Sequence, residues 1–290
     1  MLSFGELLRM FIGILANTLL GLLQNIGVCV IDLDNPAGRF YNLLQQAKAR
    51  PDAHKVRDVW AHVFDEDQKD DSAITRKVVE LYQLGEEVKQ LISMDNGVNK
   101  ELYLSSFPQV EKAIFPLNLN TTWQGQKQQL NDGVMTRLQF CSELLSSFYK
   151  EEQLSVDELK SITTLIDNLF EAVLNGSLEK SIRLTLLEEI ERLRSALSMY
   201  KIKGAKGLKQ SLQSTIGMVV ANKDDLSKAN DKDKDIIDRL GLLIDKIDSF
   251  TAKALKVHKV LSKPFQSLLG LVFKDDSTEI VVAEADDIEA

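Results

Sequence analysis

Proline and glycine are scarce in this chain, 5 and 15 residues of 290. So few turn-formers argue against an all-β domain of short strands and frequent hairpins, and favour long uninterrupted helices. Cysteine is scarcer still, with Cys29 and Cys141 alone. They stand far apart in apolar surroundings, which excludes a disulfide framework and fits reduced thiols in a cytoplasmic protein. Glycine-rich phosphate loops, zinc-type Cys/His spacings and GxSxG elements are all missing, so no cofactor and no metal is expected. A single long stretch lacks charge, Met10 to Ile31. Asn17, Thr18, Gln24 and Asn25 interrupt it and offset what its aliphatic residues would gain in a bilayer, so a buried or amphipathic helix is expected there ahead of a membrane span. Glu6 and the want of a small-x-small cleavage site argue against a secretory leader.

What the chain does have is helical period. Ser155-Val-Asp-Glu158 reads as a capping box, followed by Leu159, Ile162, Leu165, Ile166, Leu169 and Val173 on one face and Gly176 as a left-handed stop. Ser177 is expected to open a second helix at once, with Ile182, Leu186, Ile190, Leu193, Leu197 and Tyr200 in near-heptad spacing, and a connection this short makes the pair antiparallel. Upstream, Pro36 suits a first helical turn leading to Phe40, Leu43, Leu44 and Ala47. Asp52 is placed to cap a helix carrying Val56, Val59, Trp60, Val63 and Phe64, and Ser72 to start one with Ile74, Val78, Leu81 and Val88. Thr121 or Thr122 begins a long helix over Leu130, Val134, Leu138, Cys141, Leu145 and Phe148. After Gly204 the period resumes to Ala221, with Gly207 and Ser211 spaced for close backbone approach, and a last helix runs from Ile236 past Leu261 until Pro264.

The expected fold is therefore all-α, a multi-helix bundle of antiparallel helices with a long C-terminal helix and a short acidic, disordered tail. The expected organisation is an N-terminal helical region over 1–65, a main bundle over 72–273 and an acidic tail over 274–290.

The net charge of −8 argues against general DNA binding, but the charge is unevenly spread. Residues 200–263 carry 14 basic against 8 acidic side chains, whereas residues 264–290 carry Lys274 against seven acids. Lys253, Lys256, Lys259 and Lys263 are spaced as one basic stripe on the last helix, an expected anion- or partner-binding surface that the tail can screen.

Two short stretches resemble catalytic motifs. Gly27-Val-Cys-Val-Ile-Asp-Leu-Asp34 resembles the first motif of haloacid-dehalogenase-type phosphotransferases, with Asp32 and Asp34 as its paired carboxylates. That fold needs further strands alternating with helices, which the chain lacks, so a helix end and a turn at Asp34-Asn35-Pro36 are expected. Arg57-Asp58-Val-Trp-Ala-His62 resembles the active-site motif of the HEPN superfamily, all-helical ribonucleases common among bacterial toxins and phage-defence proteins. The resemblance implies metal-independent RNA cleavage, with His62 moving a proton, Arg57 stabilising charge on the phosphate and Asp58 orienting them. His54, Asp58 and His62 also recur every four residues, but ligands on one helix drift by about 40° per step and rarely converge on a metal.

With no other constellation on the page, the first expectation is a non-enzymatic interaction or scaffold protein that binds a protein partner or itself. The alternatives are a HEPN-like endoribonuclease and a helical protein acting at membranes through residues 1–31 or 203–221.

Overall fold

The computed structural model describes Asp32, residues 34–149, 151–227 and 233–261, and Phe265. The expected N-terminal apolar helix, Cys29, Lys263 and the acidic tail lie outside the described residues. The protein is all-α: among the described residues there is no strand, and an antiparallel bridge joins Lys55 and Thr122. No helix among them is long and apolar enough to cross a membrane. Backbone contacts divide the chain into two compact units, the first from residues up to Asp71 and Gly85–Tyr149, the second from Ser72–Leu84 and residues from 150 on. One break falls at Asp71/Ser72, and helix α3 (Asp71–Met94) is divided, with Ser72–Leu84 in the second unit and the rest in the first.

The first unit is built on α1 (Pro36–Lys48), which packs against α7 (Asp132–Ser146) and α2 (Val56–Phe64). Helices α4 (Lys100–Leu104), α5 (Phe107–Ile114) and α6 (Gln124–Gln129) complete it. Asn35 explains why α1 starts where it does: its side-chain oxygen accepts from Gly38 N–H at 2.9 Å while its amide donates to Ser142 O at 2.9 Å. One fully buried residue thus caps a helix and fixes it to its neighbour. The single long helix expected from Thr121 onward is two, because Leu130 leaves helical geometry to bury itself and Asn131 caps α7 by accepting from Val134 N–H. Cys141 on α7 is fully buried, and that burial pushes its thiol up to about 12, so the thiolate is not accessible at neutral pH.

Trp123, also fully buried, organises the start of α2. Its ring meets Trp60 edge-on at 5.4 Å and its Nε1–H donates to Ala47 O at 3.0 Å. Its backbone N–H donates to His54 O, while Val56 and Arg57 N–H donate to Thr121 O and Leu119 O. The loop carbonyls therefore satisfy donors that open α2, the task expected of Asp52. Asp52 instead pairs with Lys127 at 2.7 Å.

In the second unit α8 (Val156–Asn175), α9 (Lys180–Ser198), α10 (Tyr200–Ala221) and α12 (Lys234–Leu255) form a four-helix bundle, with the short α11 (Lys223–Ser227) before α12. Arg194 meets Asp167 across α8 and α9, and Glu189 meets Thr215 across α9 and α10. Between α8 and α12, Gly176 lies at Ile236 and Glu158 pairs with Lys253 at the opposite end. Each pairing runs antiparallel, so the bundle is up-down-up-down, with Ile162, Ile166, Leu169, Ile190, Leu212 and Ile244 among its buried core.

The capping box at Ser155 and Glu158 is present in both its hydrogen bonds. Gly176 is not left-handed. Its φ of −76° and ψ of 170° suit any residue, but a methyl group there would sit 2.5 Å from Ile236 Cδ1, so glycine is needed for the close approach of α12. Ser177 does not start α9 either: its N–H and hydroxyl both donate to Asp233, which is 1% exposed. Gly204, at φ 62°, breaks α10 as expected, and the freed Ala205 N–H donates to the buried Glu151 at 2.7 Å. The smallness of Gly207 serves its own helix, since a methyl there would lie 2.6 Å from Lys203 Cβ.

The last helix ends at Leu255, well before the expected break at Pro264, with Lys256 left-handed at φ 54°. Beyond it, Val260 and Leu261 N–H donate to Asp248 at 2.8 and 3.1 Å, and Phe265 N–H donates to Asp245. The chain has doubled back to bury Leu261 and Phe265 in the bundle core.

Two outcomes follow from this packing. Ile190→Asp puts an unpaired carboxylate into the bundle core and should destabilise by about 3–5 kcal/mol, read as a large drop in melting temperature by circular dichroism. The Glu158 carboxyl is held below the usual carboxylate range, first by the hydrogen bond from Ser155 N–H and further by Lys253, against an opposing effect of burial. Its contribution is thus full above the unfolded-state pKa and lost as pH falls through the lower folded value. Glu158→Ala should cost roughly 0.5–1 kcal/mol at pH 7, discounted for its partial exposure, with the gap from the parent narrowing below about pH 4 in denaturant titrations.

Candidate functional site

Helix α2 separates its side chains cleanly. Val56, Val59, Trp60, Val63 and Phe64 are buried, which leaves Asp58 and His62, one turn apart, on an outer face. That face forms a wall of an open cleft of about 470 Å³, lined also by Arg50 from the end of α1 and His54 from the turn before α2. Asp65 and Glu66 close it where α2 ends: Asp65 is left-handed at φ 55°, and Glu66 N–H returns to Ala61 O at 2.8 Å.

His54 is not on the helix, so the helical drift that counted against convergence does not govern it. The three residues do share one cleft. Even so, no group of three histidine, cysteine or acidic side chains among the described residues is placed to hold a metal ion.

Arg57 is elsewhere. Its Nη2 donates to Asp71 Oδ2 at 3.0 Å and to Asn120 Oδ1 at 3.1 Å, and it does not line the cleft. Five helical residues turn it about 140° away from His62. The structure thus brings Asp58 and His62 together and separates both from the arginine that the HEPN resemblance paired with them.

Other charged side chains of this unit are also committed. Lys48 pairs with Asp132, which holds the Asp132 carboxyl below its usual range, and Lys89 bridges Glu86 and Glu111. Four of the side chains that line the cleft differ. Arg50, His54, Asp58 and His62 make no side-chain hydrogen bond or ion pair with any described residue, and Arg50 Nε and His54 Nδ1 are buried without a partner.

No family model, curated protein or solved structure matches the chain.

The basic stripe is a correction. Lys253 stands in the last turn of α12, Lys256 is its left-handed cap and Lys259 belongs to the returning segment, so they do not follow one helical face. Lys253 pairs with Glu158 at 3.2 Å and Lys256 with Glu152 at 2.9 Å, while Lys259 is exposed. Of the aspartate pair, Asp32 accepts Asp34 N–H on its own side chain and Ser142 Oγ on its carbonyl, which forms the turn leading into α1.

Sequence reasoning missed Arg50 and the loop 118–123 altogether. Nothing local marks either, since each acts on residues remote in the chain. Because Arg57 ties α2 to Asp71 and Asn120, Arg57→Ala should lower stability by about 1 kcal/mol, measured by urea denaturation, while leaving ligand chemistry at His62 untouched.

Proposed function

We propose that this is a non-enzymatic interaction protein that works by binding a protein partner, in a reducing, cytoplasmic setting. The observation that carries the reading is the division of labour on α2: Arg57 bonds Asp71 and Asn120, whereas the cleft beside it gathers Arg50, His54, Asp58 and His62, whose side chains have no partner among the described residues. A transition-state arginine has to sit beside the phosphate that the histidine serves. Here the two are on different sides of one helix. The formal charges lining the cleft, Arg50 against Asp58, Asp65 and Glu66, further disfavour a polyanion such as RNA.

Purified protein incubated with total RNA in EDTA should leave the RNA intact, and protein isolated gently from the cells that make it should run well above its 32.6 kDa monomer mass. Cleavage that His62→Ala abolishes, or a monomer at every concentration in fresh lysate, would overturn the reading.

A further inference from the structure

We propose that the α2 cleft is the receptor for a basic side chain, an arginine or lysine presented by the partner polypeptide. This rests on the reading of the protein as an interaction protein and names the chemistry of its contact.

Size limits what the cleft can hold. A cleft of about 470 Å³ suits one long side chain and its flanking peptide groups, and falls far short of a protein surface. Its walls are polar, so an apolar ligand would strip water from charged groups and return nothing. A ligand must therefore supply the hydrogen bonds that the cleft lacks.

Sign comes next. Three carboxylates line the cleft against one guanidinium; Asp65 and Glu66 have interactions of their own, whereas Asp58 is half-buried with no hydrogen bond or ion pair. A carboxylate in that position accepts two parallel bonds from a guanidinium, or one from an ammonium, more strongly than any neutral donor offers. An anionic ligand would meet the same three carboxylates as repulsion.

The remaining groups complete the recognition. His54 and His62 flank Asp58 with flat rings against which a guanidinium plane stacks. Arg50, which lines the cleft with no side-chain hydrogen bond of its own, offers its terminal guanidinium nitrogens as donors to a main-chain carbonyl beside the basic residue. Lysine fills the charge but not the plane. Arginine is the better fit.

The chain's three histidines make the test direct, because His258 stands outside the cleft and serves as an internal control. N-acetyl-arginine amide titrated into the full-length protein should move the imidazole proton resonances of His54 and His62 saturably, with a dissociation constant on the order of millimolar, and leave His258 still. Asp58→Asn should weaken this by about tenfold without loss of helix content. The cleft assignment is overturned if neither resonance moves, if all three move alike, or if inorganic phosphate moves the pair and arginine amide does not. Silent imidazoles in a protein that still runs in a large complex would remove the cleft and keep the partner reading, whereas RNA cleavage would remove that reading itself.

Discussion

Backbone N–H groups that leave a helix inside a packed protein must find acceptors, and this fold is shaped by how it provides them. In the four-helix bundle the acceptors are carboxylates. Asp233 takes two donors from Ser177, Asp248 takes two from Val260 and Leu261, and Glu151 takes one from Ala205 at the break in α10. All three are buried. A buried carboxylate without such donors costs several kcal/mol, and a buried peptide N–H without an acceptor costs a comparable amount per group, so each pairing removes two penalties at once. The bundle's connections are accordingly held to fixed positions on neighbouring helices, which is how chain segments without regular structure come to lie against its core.

The helices themselves were legible in the sequence because their information is local. Capping at Ser155 needs four residues, and the buried stripe Ile182, Leu186, Ile190 and Leu193 of α9 needs one helical period; both read as expected, while Leu197 is only partly buried and Tyr200 opens α10. What could not be read were the ends where a distant residue decides. Gly176 reads as a helix stop by residue type, yet its role comes from Ile236, some sixty residues on. Asp52 has the chemistry of a cap, yet α2 takes its acceptors from the 119–121 backbone. The last helix loses its expected final turns because Asp248 offers Val260 and Leu261 a better set of bonds outside the helix than within it.

The candidate site shows the same division between local and remote information. Asp58 and His62 share a face by spacing alone, which the sequence contains. The loss of Arg57 from that face follows from the same spacing, since five residues exceed one turn, but its capture depends on Asn120, sixty-three positions away. Arg50 and His54 enter the cleft only because Trp123 fastens the turn between α1 and α2 through Ala47 and His54.

The first unit pairs charges such as Lys48–Asp132 and Lys89–Glu111 yet leaves four polar side chains unpaired around one cleft. Two of those side chains have nitrogens that neither water nor protein reaches. Folding alone does not select for such an arrangement, because apolar residues on that face of α2, or a lysine opposite Asp58, would remove the penalty. Asp58 has the central position in the proposed contact: with Arg57 turned toward Asp71 and Asn120, it makes no ion pair with a described residue, and a cation presented by a partner would pair with it.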